Sequence, residues 1–111
     1  MNDIAKKIVD AALADAMPNA AVRKALKDID FGSGRLIIAA AGKAAWEMGK
    51  AAADVLAGRF DTGIIITKYE HSQGNIDGFE IFEAGHPVPD ENSYKATARA
   101  LELVGNLNKE D

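Results

Sequence analysis

Two lysines and both histidines of this chain stand where side chains could meet a small anionic ligand. Lys43 follows Gly42, directly after an apolar run and directly before a helical pattern. Such a turn presents free backbone N–H groups at the positive end of a helix dipole, and the ammonium adds a full charge, which suits a phosphate or carboxylate. An ordinary strand-to-helix turn with a solvated lysine has the same pattern, and the residues alone leave both readings open. Lys68 and His71 lie in Thr67-Lys68-Tyr69-Glu70-His71, after a second apolar run, as cleft residues or as solvated loop residues. His86 lies between Gly85 and Pro87, which restrains its backbone. Restrained loops often position functional side chains, although a hydrogen-bonded structural histidine fits there equally.

Two phosphate-binding motifs can be tested against the Gly42-Lys43 turn. A Walker A loop requires Ser or Thr after its lysine; Ala44 stands there and the upstream glycine spacing fails, so that motif is rejected. The dinucleotide fingerprint fits only as Ala40-x-Gly42-x-x-Ala45, without its first glycine. It also calls for an acid at the end of the second strand, where this chain has Thr67 and Lys68.

The elements that carry these residues are legible from periodicity. Ile4, Ile8, Ala12 and Leu13 predict an amphipathic helix over 3–16, and Pro18 ends it and opens another over 19–28, with Ala21, Val22, Ala25, Leu26 and Ile29 as its stripe. Phe31–Gly34 is a turn. Arg35–Ala40 reads as a first strand whose continuous apolar run predicts burial on both faces of a parallel sheet. A helix over 43–57 follows, with Ala44, Ala45, Met48, Ala51, Ala52, Val55 and Leu56 as one stripe and Gly58 as its stop. Trp46, Gly49 and Ala53 form a second face, predicted to pack against a neighbour rather than stack on a ligand. Asp61–Lys68 contains a second buried strand, which makes 35–68 a right-handed βαβ crossover. After the polar loop 69–78, Phe79–Glu83 alternates like a half-exposed edge strand, its direction left open by the short connection. Asp90 is predicted to cap a last helix with the stripe Tyr94, Ala98, Leu101 and Val104–Leu107.

The fold class that follows is α/β: three layers, Rossmann-like, with a mainly parallel sheet in the order 3-2-1. The first strand then has one unpaired side, which folded proteins normally cover, and the chain reads as half of a larger open sheet. In such sheets ligands bind beyond the carboxyl ends of the strands. Ala41-Gly42-Lys43, Thr67–His71 and Glu83–Pro87 all fall on that rim.

Together, Ala41-Gly42-Lys43-Ala44-Ala45, Thr67-Lys68-Tyr69-x-His71 and Glu83-Ala84-Gly85-His86-Pro87-Val88-Pro89-Asp90 resemble the class II glycerate kinases. These are the glycerate 2-kinases, with a DUF4147 amino-terminal domain and a MOFRL carboxyl-terminal domain. The resemblance covers essentially the whole chain and implies ATP-dependent phosphorylation of D-glycerate at its 2-hydroxyl, with Mg²⁺. It implies Lys43 as the catalytic residue, with Gly42, Lys68, His71 and His86 lining the substrate cleft. Glu70 departs from the family pattern, which usually has glycine there, and is expected to stiffen the loop that carries His71. Residues 1–111 are much shorter than family members, so the chain is expected to be an amino-terminal portion, inactive alone, without the glycine- and serine-rich phosphate loop. The two other readings are a hydroxypyruvate reductase using NAD(P)H and a non-catalytic α/β module that self-associates through the uncovered strand edge.

Composition narrows the classes. The chain has no cysteine and two histidines, which excludes disulfides, thiolate zinc sites and histidine-rich metal sites. No Mg²⁺ carboxylate pair is visible. A net charge of −4 with scattered basic residues argues against nucleic acid. The apolar runs are too short for a bilayer, and the amino terminus lacks a secretory h-region. A cytoplasmic location is the default expectation.

Overall fold

The computed structural model describes residues 2–111. Seven elements follow in order: α1 (Asp3–Ala16), α2 (Pro18–Leu26), β1 (Ile37–Ala41), α3 (Ala45–Val55), β2 (Thr62–Lys68), β3 (Phe79–Ala84) and α4 (Glu91–Val104). The sheet order is β1-β2-β3 and both pairs are parallel, which is the expected 3-2-1 order read from the other edge. Each start signal acts locally. The Asn2 side chain accepts from the Ala5 N–H, Pro18 sits in the first turn of α2, and Asp90 and Ser93 form a reciprocal capping box on α4.

The direction of β3 is now settled as parallel, without a crossover helix. The ten residues 69–78 can reach about 33 Å when extended, and the seven of β2 span only about 23 Å. Two bonds fasten this return across α3: Trp46 Nε1 donates to the Gly74 carbonyl at 2.9 Å, and Gln73 Nε2 to Glu47 Oε1 at 2.9 Å. Ile76, on the same return, is buried with Ala45, Ala53 and Ile65, and Trp46, Phe60, Phe79 and Ile81 pack around that cluster. The Trp46/Gly49/Ala53 face thus packs inward, as expected.

Successive strand residues face opposite sides of a sheet. Ile65, aligned with Ala40 and Ile81, belongs to the α3 layer; Ile64, aligned with Glu80, belongs to the other. There Arg99 of α4 grips Glu80 through both Nε and Nη2 at 2.8–3.0 Å, which lowers the Glu80 pKa. Helices on both faces of one sheet make the three layers.

Several expectations need correction. The first strand starts at Ile37 rather than Arg35, because the Arg35 and Leu36 N–H groups donate to Asp111 and Asp61 side chains instead of a ladder. It is not buried on both faces: Ala39 and Ala41 are exposed, since β1 has a neighbour on one side only and α4 lies mainly over β3. The Tyr94/Ala98/Leu101 stripe of α4 does not face the core. Tyr94 is 69% exposed, and the helix packs instead by Ala96, with Ala100 and Leu103 half-buried beside it. Likewise the Ile4/Ile8/Leu13 face of α1 is exposed, because α1 meets only α2. Periodicity finds apolar faces but does not say which of them the same chain covers.

Candidate functional site

The β1 ladder ends where Gly42 N–H donates to the Ile66 carbonyl at 3.0 Å. Gly42 then leaves with φ +125, and nothing lies within 4 Å of where its Cβ would be. The positive φ is what calls for glycine there, since the space itself would admit a side chain. Helix α3 starts two residues later than the sequence pattern suggests. Lys43 lies in the turn before it and Ala44 is the N-cap, which offers no side-chain acceptor to the first-turn N–H groups.

The carboxyl ends of all three strands meet around one cleft of about 120 Å³, lined by Ala41, Gly42, Ile66, Thr67, Lys68, Ala84, Gly85, His86 and Ser93. Of the five expected site residues, Gly42, Lys68 and His86 line it. Lys43 is exposed on the adjoining turn. His71 is absent from the lining, and its Nδ1 lies 3.1 Å from the Lys43 carbonyl. A larger hollow of about 440 Å³ lies at the opposite end of the sheet, beside Phe60 and Ile76. Its lysine, Lys50, is already paired with Asp54 at 2.9 Å, and none of the rim segments reaches it.

Three residues that sequence reasoning passed over as site residues hold the rim together. The Thr67 hydroxyl, in a residue 3% exposed, donates to the Gly42 carbonyl at 2.9 Å. The Tyr69 hydroxyl donates to Asp90 Oδ2 at 2.6 Å and accepts from Asn92 Nδ2 at 2.9 Å. Glu83 Oε2 accepts from the Ser72 N–H at 3.0 Å, tying the 69–78 loop to β3. One signal for Thr67 was visible, a hydroxyl closing an isoleucine run; the Tyr69–Asp90 pair, 21 residues apart, had none. Glu70 has φ 69, the left-handed region where a side chain is strained and glycine is favoured. The loop therefore takes glycine's conformation without glycine.

Asp90 has its pKa lowered to about 2, first by the Tyr69 hydroxyl, then by the Gly85 amide and by Ser93, and Tyr69 is raised in turn by Asp90. A carboxylate whose folded pKa lies below its unfolded value stabilises the fold above that unfolded value, about 4, and loses the contribution as pH falls toward 2. Thermal midpoints should therefore fall between pH 4 and 2, and fall less steeply in Tyr69→Phe, which removes the largest cause. Identical pH profiles for the two proteins would deny Asp90 this role. The group is only half-buried and reached by solvent ions, so added salt should shrink the difference.

Among the described residues, no three His, Asp or Glu side chains gather where they could ligate a metal, and no helix is long and apolar enough to cross a membrane. The likeness to known proteins is close. The family described as "Domain of unknown function (DUF4147)" matches residues 4–111. The chain is 48% identical, over its whole length, to a Thermotoga maritima protein named D-glycerate 2-kinase, of which it spans 26%. It is 40% identical, over 97% of its length, to an Agrobacterium vitis protein named putative hydroxypyruvate reductase, of which it spans 24%. The crystal structure of a glycerate kinase from Thermotoga maritima superposes with a TM-score of 0.91 at 50% identity, over 96% of this chain and 25% of that one. The chain thus spans about a quarter of the length of these relatives.

Proposed function

This chain belongs to the DUF4147 family and corresponds to the amino-terminal region of its glycerate 2-kinases, and from that premise we propose that it forms one lip of the substrate cleft in an enzyme that phosphorylates D-glycerate at the 2-hydroxyl with ATP. The observation that carries the reading is convergence. Segments ending at Gly42, Lys68 and His86 come from three different strands and meet around one cleft at the carboxyl edge of a parallel sheet.

In phosphoryl transfer the protein contributes mainly positioning and neutralisation of charge. Lys43 is the catalytic residue in this reading, its ammonium offsetting charge on the transferring group. Gly42 lets the anion approach the backbone. Lys68 and His86 hold the glycerate, Lys68 by charge and His86 by hydrogen bonding, and His71 stands behind Lys43. ATP supplies the phosphoryl group. Among the described residues no three His, Asp or Glu side chains gather as a metal site; Mg²⁺, when bound with ATP, would supply neutralisation of phosphate charge. In this reading the ATP phosphate loop and the Mg²⁺ ligands come from parts of the longer relatives that this chain does not span, and the chain alone has no activity.

The test is glycerate-dependent release of ADP from MgATP by the full-length protein, with the product identified by phosphorus NMR. We expect 2-phosphoglycerate; release independent of glycerate would overturn the reading, and 3-phosphoglycerate would move the acceptor. The reductase reading shares a relative's name but places Lys68, a cation, where a ribose hydroxyl needs an acid. Saturable NADH binding without kinase activity would favour it.

A further inference from the structure

We infer that Thr67 and His71 are positioning residues that hold the Lys43 turn by its two carbonyls, with His71 acting as its Nδ1–H tautomer rather than as a ligand of the substrate. The inference deepens the kinase reading above and rests on it for its kinetic consequence, although the clamp itself can be tested without turnover.

The ladder between β1 and β2 fails at a definite place. Its last rung is the Gly42 N–H on Ile66, and one residue further along β2 the Thr67 hydroxyl takes the Gly42 carbonyl at 2.9 Å, with the Lys43 carbonyl more loosely at 3.5 Å. Thr67 is 3% exposed and is the buried polar side chain of the core. A buried hydroxyl costs stability unless it is bonded, so this bond is both required and confining. His71 approaches the same turn. The His71 N–H donates to the Lys68 carbonyl at 3.0 Å, Glu70 takes its left-handed φ, and the ring arrives 3.1 Å from the Lys43 carbonyl. A carbonyl only accepts, so the proton of that bond lies on Nδ1. Two consecutive carbonyls are thereby held by side chains of the β2 end. Because a trans peptide places its N–H opposite its C=O, the Lys43 and Ala44 N–H groups are turned away from those side chains, and the Cα–Cβ direction of Lys43 is set with them.

This separates His71 from His86. His86 lines the cleft; His71 acts through Lys43. The discriminating substitutions follow from atom positions. Asn places its amide nitrogen near the Nδ1 of histidine, and Gln places its amide near Nε2. If His71 positions Lys43, His71→Asn keeps kcat near that of the unsubstituted enzyme while His71→Gln lowers it about tenfold with KM little changed. Thr67→Ser should likewise retain kcat and Thr67→Val lose it. The opposite order, with Gln retained and Asn raising KM, would make Nε2 a substrate contact and overturn the inference. The imidazole ¹⁵N shifts of His71 in the unsubstituted full-length protein give the second reading. A ring carrying a proton on Nδ1 is expected, and a ring with Nδ1 bare would end the clamp whatever the kinetics. If the full-length protein shows no glycerate kinase activity but the Nδ1–H tautomer is found, the clamp stands and the functional reading fails.

Discussion

Lys43→Ala should lower glycerate-dependent turnover by about 10³-fold while leaving the thermal midpoint of the protein almost unchanged. The two halves of that expectation have separate origins. Lys43 is exposed, lies in a turn rather than in a helix or strand, and among the described residues pairs with no carboxylate, so its side chain contributes little to the fold. What the turn does need is the backbone of residue 43, whose carbonyl is engaged by His71, and alanine keeps that bond. The loss should therefore fall on kcat, where charge builds during transfer. Lys43→Arg should recover only part of it, because a broad planar guanidinium cannot place its charge as a compact ammonium does. Steady-state kinetics beside a thermal melt decides the matter. Turnover within a few-fold of normal in Lys43→Ala would remove the residue from the chemistry. A collapsed melt would instead show that the side chain is structural.

The second large effect is on stability. Ile65 is fully buried in the middle of β2 and packs with Ala45, Ala53 and Ile76 beneath α3. Ile65→Ala should cost about 3 kcal/mol, from lost transfer energy and the cavity left behind. A domain of this size has only about 5–15 kcal/mol in hand, so the urea midpoint should fall steeply. The contact that decides the layer spacing is Gly49 of α3, where an added Cβ would sit 2.6 Å from Ile65 Cδ1 and 2.8 Å from its Cγ1. Gly49→Ala gains about 1 kcal/mol of helix propensity but should lose about 1–3 kcal/mol to overpacking, so it destabilises overall. Ile65→Val removes Cδ1 and by itself costs about 1 kcal/mol. Combined, the two changes should cost less than their sum by about 1 kcal/mol, since valine removes the closer of the two contacts, Cδ1, although it keeps Cγ1 at 2.8 Å. Strict additivity in denaturant titrations would show that helix and sheet are not in the contact described.

The signals that read correctly from sequence were those in which neighbours along the chain determine the outcome. The Ile64-Ile65-Ile66 run gave a buried central strand, Pro18 started a helix, Asp90 capped one, and Gly42 marked a turn that needs positive φ. That β3 runs parallel, bringing the third motif segment to the same rim, was left to the structure, but the order β1, α3, β2 placed the first two segments there, because parallel strands linked by a crossover end at the same edge. That much was determined by local conformational preference and chain direction.

Other features depended on distances between residues far apart in sequence, and only the tertiary structure decided them. Leu13 and Tyr94 have the spacing of core residues yet lie exposed, because burial depends on what arrives opposite, and α1 and the outer face of α4 have nothing opposite in this chain. The loop 69–78 carries no pattern that says it returns over α3, since Trp46 and Gly74, which fasten it, are 28 residues apart. The same holds at the site. Sequence placed His71 and His86 on one lip as cleft candidates, and the fold separated them, turning one ring onto the Lys43 carbonyl and leaving the other beside the cleft. Residue type states what a side chain is able to do, but hydrogen bonds act over about 3 Å, and which partner comes within that reach is settled only when the sheet closes.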